Sequence, residues 1–186
     1  SFFEQCKRKL CYIYQILNQY NMLSQKVENI LVAQIEKEAY SSNLYLSMAS
    51  WAEVNGFEGT AQWFYAQAEE EHLHMLKFLA FVNERGGKAI IPAVKQPPLE
   101  YKDIRDIFTQ VFEHEKYISQ SINNIVGVCM EEKDFSTNNW IQWFVNEQIE
   151  EEKSVRGIID KLNLIGAHSL YLFDKDIMSM RAAAAK

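Results

Sequence analysis

Residues 68–75 read AEEEHLHM. Glu71 and His74 stand three positions apart, so on a helix their side chains project from nearly the same face. Here that face is the apolar one. A carboxylate and an imidazole aimed at a helix's own core point to metal ligation or proton transfer, because an unpaired buried charge costs several kcal/mol even after relaxation. Three further apolar seams are interrupted near their middles by the same chemistry, at Glu38, at Glu115 and at Glu147/Glu151. One such glutamate would be unremarkable. Four that meet at one depth would form an acidic centre balanced by protons, water or bound cations, since the seams carry no lysine or arginine at that depth. Oxygen donors with one imidazole suit iron or manganese better than zinc.

The elements that must carry these residues show apolar positions at alternating three- and four-residue steps, the signature of packed helices. The pattern predicts helices over about 24–53, 60–85, 103–131 and 137–164. Their seams run through Leu31, Glu38, Tyr45 and Ala52; through Ala61, Phe64, Ala68, Glu71, Met75, Phe78 and Val82; through Ile104 to Cys129 by way of Glu115; and through Trp140, Phe144, Glu147, Glu151, Val155, Ile158 and Leu162. Asn55-Gly56 separates the first pair and Arg85-Gly86-Gly87 ends the second helix. Asp134, Ser136 and Thr137 are candidate N-caps for the fourth, and Gly166 is its expected stop. Short links favour antiparallel neighbours. The stretch GGKAIIPAVKQPPLEYK holds all three prolines and is long enough to run the length of a bundle. The expected fold is therefore all-α, two helical hairpins joined by one long crossover, with a shorter amphipathic helix over about 169–180.

Bulk composition agrees. The chain has 186 residues, enough for one well-buried domain. Its 7 glycines and 3 prolines favour long helices over many turns. A net charge of −6 argues against a general nucleic-acid role and suits cations. Cys6, Cys11 and Cys129 are too scattered for a disulfide framework or zinc cluster and fit a reducing cytoplasm. No apolar run reaches the roughly 20 residues needed to span a membrane, and the N-terminal LCYIYQIL reads as neither signal peptide nor anchor.

The separations repeat. Glu38 and Glu71 are 33 residues apart, and Glu115 and Glu147/Glu151 are 32 to 36 apart. One hairpin supplies Glu and Glu-x-x-His; the other supplies Glu and the cluster Glu147, Glu150 and Glu151. A pseudo-two-fold site for a metal pair follows, with Glu71 and Glu151 as the natural shared ligands.

From about Met22 to Ile177 the chain resembles ferritins, and among them the non-haem bacterial ferritins. The matching segments are EKEAYSSNLYLSM (36–48), AEEEHLHM (68–75), FEHEKYISQSI (112–122) and VNEQIEEEKSVRGIIDKL (145–162). The general di-metal carboxylate bundle carries Glu-x-x-His on two helices. This chain departs from that pattern, because its fourth helix reads EQIEE and lacks the second histidine. Storage ferritins share the departure, which favours a site that releases oxidised iron over one that retains it.

The resemblance implies a ferritin-like four-helix bundle and an iron-storage ferroxidase. Two Fe(II) ions would be oxidised by dioxygen or peroxide and passed to a mineral inside a hollow, cytoplasmic shell of 24 subunits, the last helix lining a pore. By resemblance the first iron site is Glu38, Glu71 and His74, and the second is Glu71, Glu115 and Glu151. A third comprises Glu70, Glu147, Glu150 and Glu151. Gln148 would support the ligands by hydrogen bonding. Tyr45 matches the tyrosine near the centre, either as an electron donor or as a core aromatic. No haem is expected. The rival reading is another di-metal enzyme on the same bundle, peroxidase- or oxygenase-like, against which the missing histidine counts.

His72 is expected at the surface, and His114, beside Glu115 in sequence, is expected to support the site. Trp143 reads as a packing residue. The stretch STNNWIQWF lacks the carboxylates that line iron-entry pores in vertebrate-type ferritins, so another entry route is expected. Residues 1–21 lie outside the resemblance and read as a native extension, a leader or added sequence. The domain is expected over 22–180, with 181–186 as a tail.

Overall fold

Four long helices and one short one form in a computed structural model that describes residues 21–165 and 169–184. They are α1 (Gln25–Val54), α2 (Glu58–Glu84), α3 (Ile104–Glu132), α4 (Phe135–Leu164) and α5 (Leu170–Ala184). The expectations for residues 1–20, Gly166 and the last two residues of the tail fall outside the described residues.

Local chemistry sets the boundaries. Ser24, Asp103 and Asp134 cap α1, α3 and α4 by accepting from backbone N–H groups of the first turn. Gly56 and Gly86 follow α1 and α2 with φ of 79° and 82°, which a side chain rarely tolerates. Phe57, the residue before α2, has no side-chain oxygen to offer. The cap there comes from α5 instead. The Asp174 carboxylate accepts from Gly59 N at 2.9 Å, Thr60 N at 2.8 Å and Thr60 Oγ1 at 2.8 Å.

Neighbouring helices are antiparallel. Met22 N at the start of α1 donates to Arg85 O at the end of α2. Ser119 pairs with Glu152, and Arg105 with Asn163, along α3 and α4. α1 and α3 are linked by Lys26–Glu131 at one end and Tyr45–Glu115 further along. The crossover leaves α2 beside Met22 and ends where Tyr101 packs edge-on against Trp51, so it runs the length of the bundle. α5 lies on α2 and α4, with Phe173 and Ile177 buried. It continues past the expected boundary at 180, so Arg181 belongs to the helix.

The apolar core has two parts. One surrounds Trp63, Phe64 and Phe108 and includes Phe173 and Ile177 of α5. The other surrounds Leu31, Phe78, Ile122 and Phe144. Glutamates and glutamines occupy the depth between them. Two seams differ from the periodicity by one position. On α4 the buried line runs Ile141, Phe144, Gln148, Glu151, Val155, leaving Trp140 and Glu147 half-buried on its flank. On α2, His74 is buried and Met75 only half-buried. The straight helix simply turns its 3.6-residue period past the sequence register. Among the described residues no helix is long and apolar enough to cross a membrane.

Candidate metal centre

Glu38, Glu71, Glu115 and Glu151 are all buried, one from each long helix. Glu38, Glu71 and His74 each bring one donor atom to within 4.8 Å of the others. His74 Nδ1 lies 3.5 Å from Glu71 Oε2. Glu115 and Glu151 face Glu71 from α3 and α4, close enough that both raise its proton affinity.

Each inner carboxylate outside Glu71 receives a glutamine amide. Gln34 donates to Glu38 at 2.8 Å, Gln67 to Glu151 at 3.1 Å and Gln148 to Glu115 Oε2 at 3.1 Å. Gln148 thus hydrogen-bonds an inner carboxylate, and Gln34 and Gln67, which the sequence did not single out, do the same. Tyr45 donates its hydroxyl to Glu115, so its ring is a core aromatic and its polar end belongs to the centre. Gln34 is fixed in turn by Ser121, whose hydroxyl donates to its Oε1 at 2.6 Å and accepts from Lys37.

His114 lies behind the centre, edge-on to the Tyr45 ring, and bonds to Ser41 rather than to any of the four carboxylates. Its Nε2 lies 2.7 Å from Ser41 Oγ, and that hydroxyl donates its one proton to Lys37 O. The hydroxyl must therefore accept from His114, which fixes the proton on Nε2. Trp143 packs edge-on against His74, with Lys77 over its indole face, and remains partly exposed. His72 is exposed, as expected.

A second acidic group flanks the first. A cavity of about 120 Å³ is lined by Gln67, Glu70, Glu147, Glu150, Glu151, Ser154 and Arg181. It contains every residue expected at a third metal site. Glu70 and Glu147 also bring donor atoms within 4.8 Å of His74, which sits between the two groups. As expected, the buried seams of the four long helices carry no lysine or arginine at this depth; the basic residues nearby come from outside those seams. The Arg181 guanidinium pairs with Glu70, and Lys37 and Lys77 stand at the edges. None of them pairs directly with the four inner carboxylates.

Burial is the main influence on protonation. It raises Glu38, Glu71 and Glu151 above the usual carboxylate range, Glu71 and Glu151 strongly, and neighbouring carboxylates raise those two further. Glu38 and Glu71 bring oxygens close together, so the two carboxyls titrate as a pair rather than singly. Burial lifts Glu115 to about 7, although Tyr45 and Gln148 hold it down. Burial lowers His74 to about 4, and Lys77 adds to that, so its imidazole is neutral and free to ligate.

These shifts set a stability profile. A carboxylate with a raised folded pKa binds more protons folded than unfolded, so stability falls as pH rises above the unfolded value near 4.5. His74 and His114, each lowered to about 4, act oppositely between 4 and 6.5. Above 6.5 that opposition fades as the unfolded histidines lose their protons, and the carboxylates dominate. The metal-free protein is therefore expected to lose Tm from pH 6.5 to 8, by about 2–4 °C for each kcal/mol involved. Saturating Mn(II) should remove the slope, and scanning calorimetry with and without Mn(II) checks both.

Comparison with known proteins gives one consistent result. A ferritin-like domain is matched over residues 28–165. A probable bacterial non-heme ferritin-like protein of Haemophilus influenzae is 45% identical over 165 residues, covering 88% of this chain and all of that one. A bacterial non-heme ferritin of Campylobacter jejuni is 42% identical over 167 residues, covering 89% of this chain and all of that one. Among solved structures, the open pore ferritin of Archaeoglobus fulgidus superposes with a TM-score of 0.83 at 42% identity, covering 84% of this chain and 97% of that one.

Proposed function

The chain belongs to the ferritin family, and from that premise we propose that it stores iron by oxidising Fe(II) at the buried carboxylate centre. Fe(II) is the substrate. The observation that carries the reading is the convergence of Glu38, Glu71 and His74, all buried and with no basic side chain paired to them. The donors fit such an ion. The carboxyls that hold protons for want of counter-charge exchange them for a cation, and the neutral imidazole needs no deprotonation.

Glu38, Glu71 and His74 hold one ion, and Glu71, Glu115 and Glu151 hold the other, with Glu71 shared. Gln34, Gln67, Gln148 and Tyr45 orient the oxygens. Two Fe(II) lose two electrons, and one dioxygen with two protons takes them up as hydrogen peroxide. The ions supply the redox chemistry; the protein supplies position and charge compensation. The second acidic group, Glu70, Glu147, Glu150 and Glu151, takes a third ion. The ferric product passes to a mineral held within a cytoplasmic shell of 24 subunits. Exposed apolar residues such as Leu73, Leu76 and Ile91 support burial between copies.

Aerobic addition of Fe(II) to the purified protein should give ferric absorbance well ahead of buffer, and size-exclusion chromatography should give a particle far larger than one 21.7 kDa chain. Oxidation no faster than buffer sinks the ferroxidase reading; elution as a monomer sinks the shell.

A further inference from the structure

The acidic cavity beside the centre already contains a cation, and it comes from the far end of the chain. α5 is seated on the bundle by the Asp174 cap on α2 and by burial of Phe173 and Ile177. Seated so, its last turn delivers Arg181 to the mouth of the cavity. One guanidinium nitrogen pairs with Glu70 and lies 3.5 Å from Ala66 O. The same positive charge acts on Glu151, which belongs to both acidic groups. Both members of the Arg181–Glu70 pair are only partly exposed.

We propose that Arg181 is a tethered counter-cation that competes with divalent metal for Glu70, so that filling the flanking acidic group and seating the last turn of α5 oppose one another. The proposal rests on reading the carboxylate centre as a metal site. The physical case is simple. Four glutamates around about 120 Å³ repel one another, and the guanidinium relieves part of that repulsion when no metal is bound. A divalent cation relieves more of it, but it needs the Glu70 oxygen that Arg181 holds. Two cations at that oxygen repel, so one must leave. Arginine cannot resolve the conflict by losing its proton. It has to swing away, by its own side chain and by the turn beyond Met180, since Phe173, Asp174 and Ile177 and the half-buried Met178 and Met180 hold the helix up to that point. Arg181 is thus a positioning and selectivity residue: it lowers the occupancy of the flanking group at low metal and releases that group as metal rises.

Mn(II), which resists oxidation by dioxygen near neutral pH, is the probe. Binding to the full chain is followed by the loss of the free Mn(II) electron paramagnetic resonance signal, and α5 by amide hydrogen exchange. Arg181→Ala should tighten the weakest class of Mn(II) sites by roughly three- to tenfold, the range expected for a partly exposed ion pair beside further acids. Arg181→Lys, which keeps the charge, should remain near wild type. Adding Glu150→Gln should abolish the tightening, since Glu150 lines the flanking cavity and is not one of the four inner carboxylates. In the wild type, Mn(II) saturation should speed exchange in residues 180–184 but not around Asp174. Unchanged or weaker Mn(II) binding in Arg181→Ala, or exchange at 180–184 that Mn(II) leaves alone, overturns the proposal while leaving the metal centre standing. A wild type that binds no Mn(II) overturns both.

Discussion

Glu71→Ala is expected to lower the initial rate of Fe(II) oxidation by on the order of 100-fold or more, the largest loss for any single substitution in this chain. Loss of a group that merely orients a ligand costs about 10- to 100-fold in metal affinity or activity, and Glu71 is more than that. It is the carboxylate that Glu38, Glu115 and Glu151 all act upon, and its oxygen lies 3.5 Å from the His74 imidazole. Replacing it removes the group shared by both proposed ion positions. The measurement is stopped-flow ferric absorbance, and a Glu71→Ala protein that oxidises Fe(II) as fast as wild type would sink the assignment.

Glu71→Gln separates loss of function from loss of fold. Its amide can donate to a neighbouring carboxylate such as Glu38, and it carries no charge to bury. The metal-free variant should therefore melt at or above the wild-type temperature at pH 8, where the native carboxyls ionise against one another. It should also lose most of the stabilisation that Mn(II) gives the wild type. A site built for function at the expense of stability predicts that combination, whereas a merely hydrated acidic layer predicts neither change.

Why Glu38, Glu71, His74 and Glu115 were legible is plain from their neighbours. Glu38, Glu71 and Glu115 each interrupt an apolar line whose other members are buried, Met75 excepted, so a period of three and four residues marks them; His74 was marked by its three-residue step from Glu71, although the seam itself ran to Met75. The fourth helix resisted, because Glu147, Glu150 and Glu151 fall within five positions and periodicity cannot choose among them. Packing chose Gln148 and Glu151 for the inside and left Glu147 on the flank. Gln34 and Gln67 were missed because a single amide on a seam reads as a tolerated polar residue. The available signal was position: each stands four residues before an inner glutamate, at Glu38 and at Glu71, on the same buried face. Arg181 and Asp174 left no local signal at all. Their partners lie 111 to 115 residues away, and only the docking of α5 brings them together.

Gly59→Ala is expected to release α5 from the bundle. A Cβ at this position would lie 1.9 Å from Asp174 O and 2.9 Å from its carbonyl carbon. Backbone cannot yield to that contact as a flexible side chain can, so α5 must move. Overpacking of this kind typically costs about 1–3 kcal/mol. Here the movement also withdraws the Asp174 carboxylate from Gly59 N and Thr60 N, leaving α2 with no side-chain cap, since Phe57 cannot supply one. The cap, worth about 1 kcal/mol, and the burial of Phe173 and Ile177, worth about 1.5–3 kcal/mol each, are what hold α5 in place. A clash of about 1–3 kcal/mol cancels part of that, so the fraction of molecules with α5 detached should rise by roughly 5- to 150-fold. Limited proteolysis should cut within 170–184 in Gly59→Ala under conditions that spare the wild type, while α1 to α4 stay protected because most of their core is their own, α5 adding Phe173 and Ile177 with Leu170, Met178 and Met180 at the edge. The same variant should bind Mn(II) more tightly at its weakest sites, as Arg181→Ala does, because a detached α5 no longer carries the guanidinium to Glu70. Two substitutions far apart in sequence, one at the start of α2 and one at the end of α5, would then give one phenotype. An α5 that stays protected in Gly59→Ala would mean that the glycine is not what seats it.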